Sequence, residues 1–294
     1  MKNFCIVGVG EILWDVFPQG RKLGGAPANF SYICKELGAE AYVISAIGND
    51  EIGKELIADA DKKNINKKYI QIHPKYPTGE VSVVIGGDGE AHYKIHELVA
   101  WDSIKNEKRL KELLSRVDAI SFGTLAQRAM VSRNTIREIL YSTAPNAIKM
   151  LDLNLREQYY NKIIIEDMLL YADVLKLNED ELPIVAKYLG FESDEDKVLK
   201  YLLEKFSLNL IAYTKGKKGS RLITAKEESV MGSPKVDVVD TVGAGDAFSA
   251  ALVMGLLNNL ELKEIHGLAV DIASYVCTQN GAMPEIPEEI KIHL

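Results

Sequence analysis

Asp240-Thr241-Val242-Gly243-Ala244-Gly245-Asp246 stands immediately ahead of a long apolar stretch with helical spacing. Small residues at 243–245 let the backbone turn tightly and gather several N–H groups at a helix N-terminus, where unpaired donors and the helix dipole attract an anion. A carboxylate, Asp246, falls in the first turn. An anion cradle beside a carboxylate suits phosphoryl transfer: the cradle stabilises the moving group, and the carboxylate takes a proton from the attacking hydroxyl. Taken by itself the run also fits a plain glycine-rich strand-to-helix turn. The rest of the chain decides between the two.

Outward from this junction, short apolar runs alternate with longer stretches of helical period. Strands are expected at 4–9, 41–46, 119–122, 148–153, 174–177, 210–214 and 221–224, and helices near 26–37, 51–63, 105–115, 131–143, 163–171, 179–189, 195–206, 244–258 and 262–279. Apolar strands separated by helices indicate an α/β, doubly wound, mostly parallel sheet covered on both faces. Ligands of such sheets bind at the carboxyl ends of the strands, where nearly every motif below falls. Two stretches break the rhythm. Residues 11–23 read as a hairpin-like excursion, and 78–101 alternate by two around Gly86-Gly87-Asp88-Gly89. Together they fit either a small β-sheet lid that excludes water over a substrate or plain surface hairpins. No repeat or linker divides the chain, so residues 1–294 read as one domain.

The 294 residues are 47% hydrophobic and 26% charged, with net charge −7. That composition supports a large core and argues against nucleic acid as a partner, because phosphate backbones want clustered Lys and Arg. Cys5, Cys34 and Cys277 are far apart and lie in apolar surroundings, so they read as buried thiols in a reducing compartment. The N-terminus lacks a signal-peptide pattern, and no apolar run approaches the roughly 20 residues of a membrane span. A cytoplasmic protein without a membrane partner is expected.

Three motifs fail on inspection. Gly8-Val9-Gly10 follows the first strand, but Leu13 stands where a dinucleotide fingerprint needs its third glycine. Residues 48–55 approach a P-loop, yet Glu55 follows Lys54 where Ser or Thr is required, and its charge would repel phosphate. His92 and His96 lie on a β-alternating segment without a third ligand.

Four others carry chemistry. Gly24-Gly25-Ala26-Pro27-Ala28-Asn29 opens the first large helix: paired glycines admit a ligand, Pro27 suits the first turn, and Asn29 can bond a polyol, as can Asp15 upstream. Asp152-Leu153-Asn154-Leu155-Arg156 ends a central strand and puts alternate residues on one side if the strand persists. Arg156 there suits a developing phosphoryl charge or a substrate group, while Asp152 fits an ion pair equally well. Asn178-Glu179-Asp180-Glu181 begins a helix, where acids are electrostatically favoured in any case and Mg²⁺ could be held through water. Thr214-Lys215-Gly216-Lys217-Lys218-Gly219 is a basic turn that could wrap nucleotide phosphates.

With these motifs in this order the chain resembles the ribokinase-like (PfkB) carbohydrate kinases over essentially its whole length, and Gly24–Asn29 resembles fructokinases more than ribokinases. The resemblance implies an ATP-dependent sugar kinase with Asp246 as base and Gly243, Ala244 and Gly245 as anion hole. It implies Asp15, Gly24, Gly25, Asn29 and Asn154 around the sugar, with Arg156 at the reacting end. It implies Asn178 and Glu181 for Mg²⁺ and phosphate, and Thr214, Gly216, Gly219 and Asn280 for the nucleotide, with 270–280 flanking adenine. Many members bind a monovalent cation such as K⁺; the matching positions are Asp240, Val242, Val276, Gln279 and Gly281, while Glu285 replaces the Ser usual in ribokinases. Ala126 replaces a sugar-binding Glu of ribokinases, which shifts attention to Gln127 for substrate choice. Fructose is the expected substrate. 2-keto-3-deoxygluconate, ribose or a nucleoside, and a non-catalytic sensor, are the alternatives. An exposed lid edge would suit pairing with a second copy of the chain.

Overall fold

A computed structural model describes residues 3–18, 20–85, 91–191 and 194–291. The strands are β1 (Cys5–Val9), β2 (Leu13–Phe17), β3 (Gly20–Gly24), β4 (Glu40–Gly48), β5 (Ile70–His73), β6 (Gly79–Ile85), β7 (Ala91–Ile95), β8 (Ala119–Gly123), β9 (Ile148–Asp152), β10 (Val174–Asn178), β11 (Leu210–Thr214), β12 (Ser220–Ile223) and β13 (Glu228–Met231). The helices are α1 (Ala26–Glu36), α2 (Glu51–Lys62), α3 (Leu110–Leu114), α4 (Met130–Ser142), α5 (Lys162–Leu169), α6 (Glu181–Leu189), α7 (Glu195–Lys205), α8 (Ala244–Leu257) and α9 (Leu262–Cys277).

Apolar runs that are buried on both faces form the middle of a nine-stranded sheet, ordered β13-β12-β11-β10-β9-β8-β1-β4-β5. Pairing is parallel from β5 to β11, and β12 and β13 add an antiparallel edge. From β1 the chain winds through β4 and β5 to one side, then through β8 to β11 on the other. The gap beyond the carboxyl ends of β1 and β8 is therefore the topological switch point, where open α/β sheets bind ligands.

α8 is apolar on every side and is buried from Ala247 to Gly255, as a helix without a polar face must be. It packs between α1 and α9. Gly255 permits that approach, since a Cβ there would stand 3.0 Å from Ile265 Cγ1. The N-terminus of α8 is thus held rigidly below the switch point.

Residues 13–24 and 79–95 supply the four strands of a second sheet, ordered β3-β2-β6-β7; the turn expected at 86–89 lies outside the described residues. Trp14 Nε1 donates to Ile52 O over 2.9 Å, and Arg21 Nη1 bonds Glu55 Oε2 at 2.9 Å, so this sheet stands on α2. Three expectations need correction. The helix near 105–115 contracts to Leu110–Leu114, because residues 105–109 carry no apolar anchor and the Lys105 backbone is held by the Gln71 side chain. β5 and β13 arise at positions where no strand is expected. Both are edge strands of four residues whose pattern is too short to stand out from loops.

Candidate active site

The glycine turn expected to cradle an anion stands at the start of α8. Gly243 is its N-cap at φ 81°, and a Cβ there would lie 2.3 Å from Ala282 Cβ. Only glycine meets both conditions. Ala244 N bonds Thr241 O at 3.3 Å and Ala247 N bonds Gly243 O at 2.8 Å, while the first-turn N–H groups between them have no partner within the helix. Gly245 backs onto Lys176, whose Nζ would stand 2.8 Å from an added Cβ.

Asp246, one turn in, is held by a polar web. Asn29 Nδ2, from α1, donates to Asp246 Oδ2 over 2.7 Å, while Asn29 Oδ1 is buried without a partner. Behind them Lys176 Nζ bonds both oxygens of Asp152 at 2.9 Å, and Ser249 Oγ adds a bond of 3.0 Å. Burial works against the Lys176 ammonium, but the carboxylates of Asp152, Glu181 and Asp246 outweigh it and hold its pKa above the usual lysine value. Asp152 therefore serves as the partner of a buried ion pair. Burial and then the Asp152 charge push Asp246 up to about 7, opposed by Asn29, Lys176 and Arg156. A carboxylate poised near neutral pH suits a general base.

A narrow cleft opens above Asp246 at the switch point. Glu11, Pro27, Ser121, Thr124, Asn154 and Asp246 are among its walls. Beside the cleft, the Gly24-Gly25 pair lets Asp15 and the Glu11 backbone approach the start of α1 closely. A Cβ on Gly24 would lie 2.2 Å from Asp15 Oδ2, and one on Gly25, at φ 104°, would lie 2.5 Å from Glu11 O. Asp15 is half-buried on β2, and burial raises its pKa to about 6 against the pull of Arg156 and Lys22. Strand β9 ends at Asp152, so the expected alternation through Asn154 and Arg156 does not hold. Asn154 turns into the left-handed region at φ 43°, which asparagine tolerates. Arg156 is nonetheless solvent-exposed with its charge felt by Glu11, Asp15 and Asp246. Gln127 does not reach the cleft: it is 0% exposed, and its Nε2 donates to Gly123 O over 3.1 Å behind the cleft wall. Glu11 is the site residue that motif reading missed. Its sequence signal is the Gly10-Glu11 pair ahead of Asp15, to which the motif reading gave no role of its own.

On the other side of the cradle lies a groove of about 480 Å³, walled by Thr214, Gly216, Gly219, Ala244, Gly245 and Val270 among others. It brings together the basic turn, the cradle and α9. Cys277 lines it and is only half-buried, in contrast to the fully buried thiols of Cys5 and Cys34. Asn280 is not among the walls; its Oδ1 accepts from Lys22 Nζ on strand β3 of the second sheet. Asn178 and Glu181 form a reciprocal cap on α6. Asn178 Oδ1 accepts from Asp180 N and Glu181 N, and the two Glu181 oxygens accept from Leu155 N and Asn178 N at 2.9 and 2.8 Å. The Asp240 carboxylate ties two loops, accepting from Val242 N at 3.0 Å and Gly281 N at 3.1 Å, with Lys22 Nζ 3.6 Å away. Val276 O accepts from Gln279 N at 3.0 Å. Among the described residues no cluster of three or more His, Cys, Asp or Glu side chains could hold a metal ion, and no helix is long and apolar enough to cross a membrane.

A sugar kinase of Pyrococcus horikoshii is 30% identical over 299 residues, covering 94% of this chain and 91% of its own. Its crystal structure superposes with a TM-score of 0.84 over 98% of this chain and 99% of its own, at 25% identity. Fructokinase-1 of Oryza sativa subsp. japonica is 27% identical over 99% of this chain and 97% of its own. A fructokinase of Xylella fastidiosa, solved with bound ATP, shares the fold at a TM-score of 0.85 and 20% identity, over 97% of this chain and 96% of its own. The pattern of the pfkB family carbohydrate kinases matches residues 13–289, and the chain therefore belongs to that family.

Proposed function

We propose that this sugar kinase is a fructokinase, transferring the γ-phosphoryl group of MgATP to a hydroxyl of fructose. The observation that carries the reading is one carboxylate, Asp246, standing between two recesses at the head of α8: a polar cleft on one side and a large groove on the other. In this reading the sugar occupies the cleft, with Asn29 Oδ1 as a waiting acceptor and Asp15, Gly24, Gly25 and Asn154 around it. ATP lies in the groove against Thr214, Gly216 and Gly219, its γ-phosphate at the first-turn N–H groups of Gly245 and its neighbours. Asp246 takes the proton of the attacking hydroxyl, and the oxygen forms a bond to phosphorus as the bond to ADP breaks. Arg156 and the cradle meet the charge that develops on the transferred group.

Glu181 suits Mg²⁺ held through water: it is one buried carboxylate with lone pairs beyond its two backbone bonds, and Mg²⁺ keeps most of its waters. A monovalent cation fits less well. Both Asp240 oxygens already accept backbone bonds, and the Lys22 ammonium stands beside them, so backbone carbonyls of Val242, Val276, Gln279 and Gly281 are the donors that would remain. Arg156 favours one alternative substrate, 2-keto-3-deoxygluconate, whose carboxylate it could pair with.

ADP release is measured with MgATP against fructose, 2-keto-3-deoxygluconate, ribose, adenosine and fructose 6-phosphate, each with and without K⁺. Selective turnover of fructose is expected, and selective turnover of another polyol would contradict the substrate assignment.

A further inference from the structure

Glu11 sits where the chain leaves β1 for the lid, at the amino end of α1. It is 4% exposed, and it lines the same narrow cleft as Asp246. No part of the mechanism above uses it. A buried carboxylate normally has a cationic partner or a full set of donors, yet no salt bridge to Glu11 forms among the described residues. Four charged or polar groups bear on it: the Asp246 carboxylate from α8, the Arg156 guanidinium from the loop after β9, and the backbone N–H groups of Glu11 itself and of Ala26 on α1. Asp246 in turn faces Asp152 on β9, Lys176 on β10 and Asn29 on α1. Two carboxylates thus share one small cleft; Arg156 bears on both, while Lys176 and Asn29 support Asp246 alone.

We propose that Glu11 is a second functional carboxylate of this site, a positioning residue coupled electrostatically to Asp246 that sets how strongly Asp246 draws the proton of the acceptor hydroxyl. Two like charges in a poorly solvated cleft do not ionise independently. Burial pushes Glu11 up to about 7, and the Asp246 charge pushes the same way. Around neutral pH the pair then carries a single shared charge, with the second negative charge resisted. The role as modulator of the base rests on the kinase reading above; the coupling itself does not.

Two measurements separate those levels. In the first, thermal midpoints of the wild type, Glu11→Gln, Asp246→Asn and the double variant are followed from pH 5 to pH 8. Both folded-state pKa values lie above the unfolded ones, so the charged forms weaken the fold increasingly as pH rises through this window. Each single variant is therefore expected to gain midpoint relative to wild type between pH 5 and pH 8, and the double variant to gain less than the sum. Additive changes, or changes independent of pH, would overturn the coupling whether or not the protein phosphorylates a sugar. In the second, the pH profile of kcat/KM for the best substrate is compared between wild type and Glu11→Gln. The acid limb is expected to move to lower pH by about one unit; an unmoved limb with a merely lower plateau would overturn the role. Should Glu11→Gln fail to fold, ¹³C titration of the Glu11 carboxyl in wild type and Asp246→Asn gives the same answer. A lower midpoint in Asp246→Asn is expected, and an unchanged one would refute the pairing.

Discussion

Asp246 shows how much of a residue's chemistry is local and how much is borrowed. Its place in the first turn of α8 follows from sequence, but its basicity comes from Asp152 and from burial beneath α1, which no motif spells out. The raised value has a sign: a carboxylate acting as base works only when ionised. The limiting rate term kcat/KM should therefore rise with pH through about 7 and level off above it, as a pH–rate profile of the wild type will show. A flat profile between pH 5 and pH 8 would contradict the assignment. Lys176 is the other half of the arrangement. Read along the chain it is one polar residue in an apolar strand. In the fold it neutralises Asp152 directly beneath the base. Lys176→Met should leave a buried carboxylate unpaired and cost about 3–5 kcal/mol in urea denaturation; a loss below 1 kcal/mol would show that water screens the pair.

At the scale of elements, the tight turn ahead of α8 was legible because glycine spacing reports backbone geometry directly. Gly243 has both the positive φ and the crowding against Ala282 that such spacing implies. Gly243→Ala should destabilise the fold by at least about 1–2 kcal/mol and raise the KM for ATP more than that for the sugar, in steady-state kinetics. Equal effects on both substrates would detach the turn from the nucleotide. The pair Asn178 and Glu181 was legible as a helix start, and the two residues bond each other reciprocally where the chain enters α6. Legibility failed where partners lie far apart in sequence. Asn280 turns toward Lys22, more than two hundred residues away, whereas Gln127 turns inward to Gly123 within its own turn, a choice of side that no spacing spells out. Glu11 was given no role because its placement beside Asp246 depends on α1 and α8, which lie elsewhere in the chain.

For the whole molecule, strand alternation was enough to indicate the parallel sheet, while strand order was not written in any one segment. The order puts the turn from β1 and the turn from β8 side by side, which creates the cleft, and places α8 beneath it. The second sheet was legible from the break in rhythm at 11–23 and 78–101, yet its parallel β2–β6 pairing joins segments that sequence keeps apart. The central claim is that this architecture exists to hold Asp246 between a sugar and the γ-phosphate of ATP. The most direct measurement is the initial rate of fructose phosphorylation by wild type and Asp246→Asn at pH 8, with fructose affinity measured alongside by calorimetry. The account predicts a fall in kcat of roughly 10²–10⁴ with fructose binding largely kept. Turnover near the wild-type rate in Asp246→Asn would contradict it.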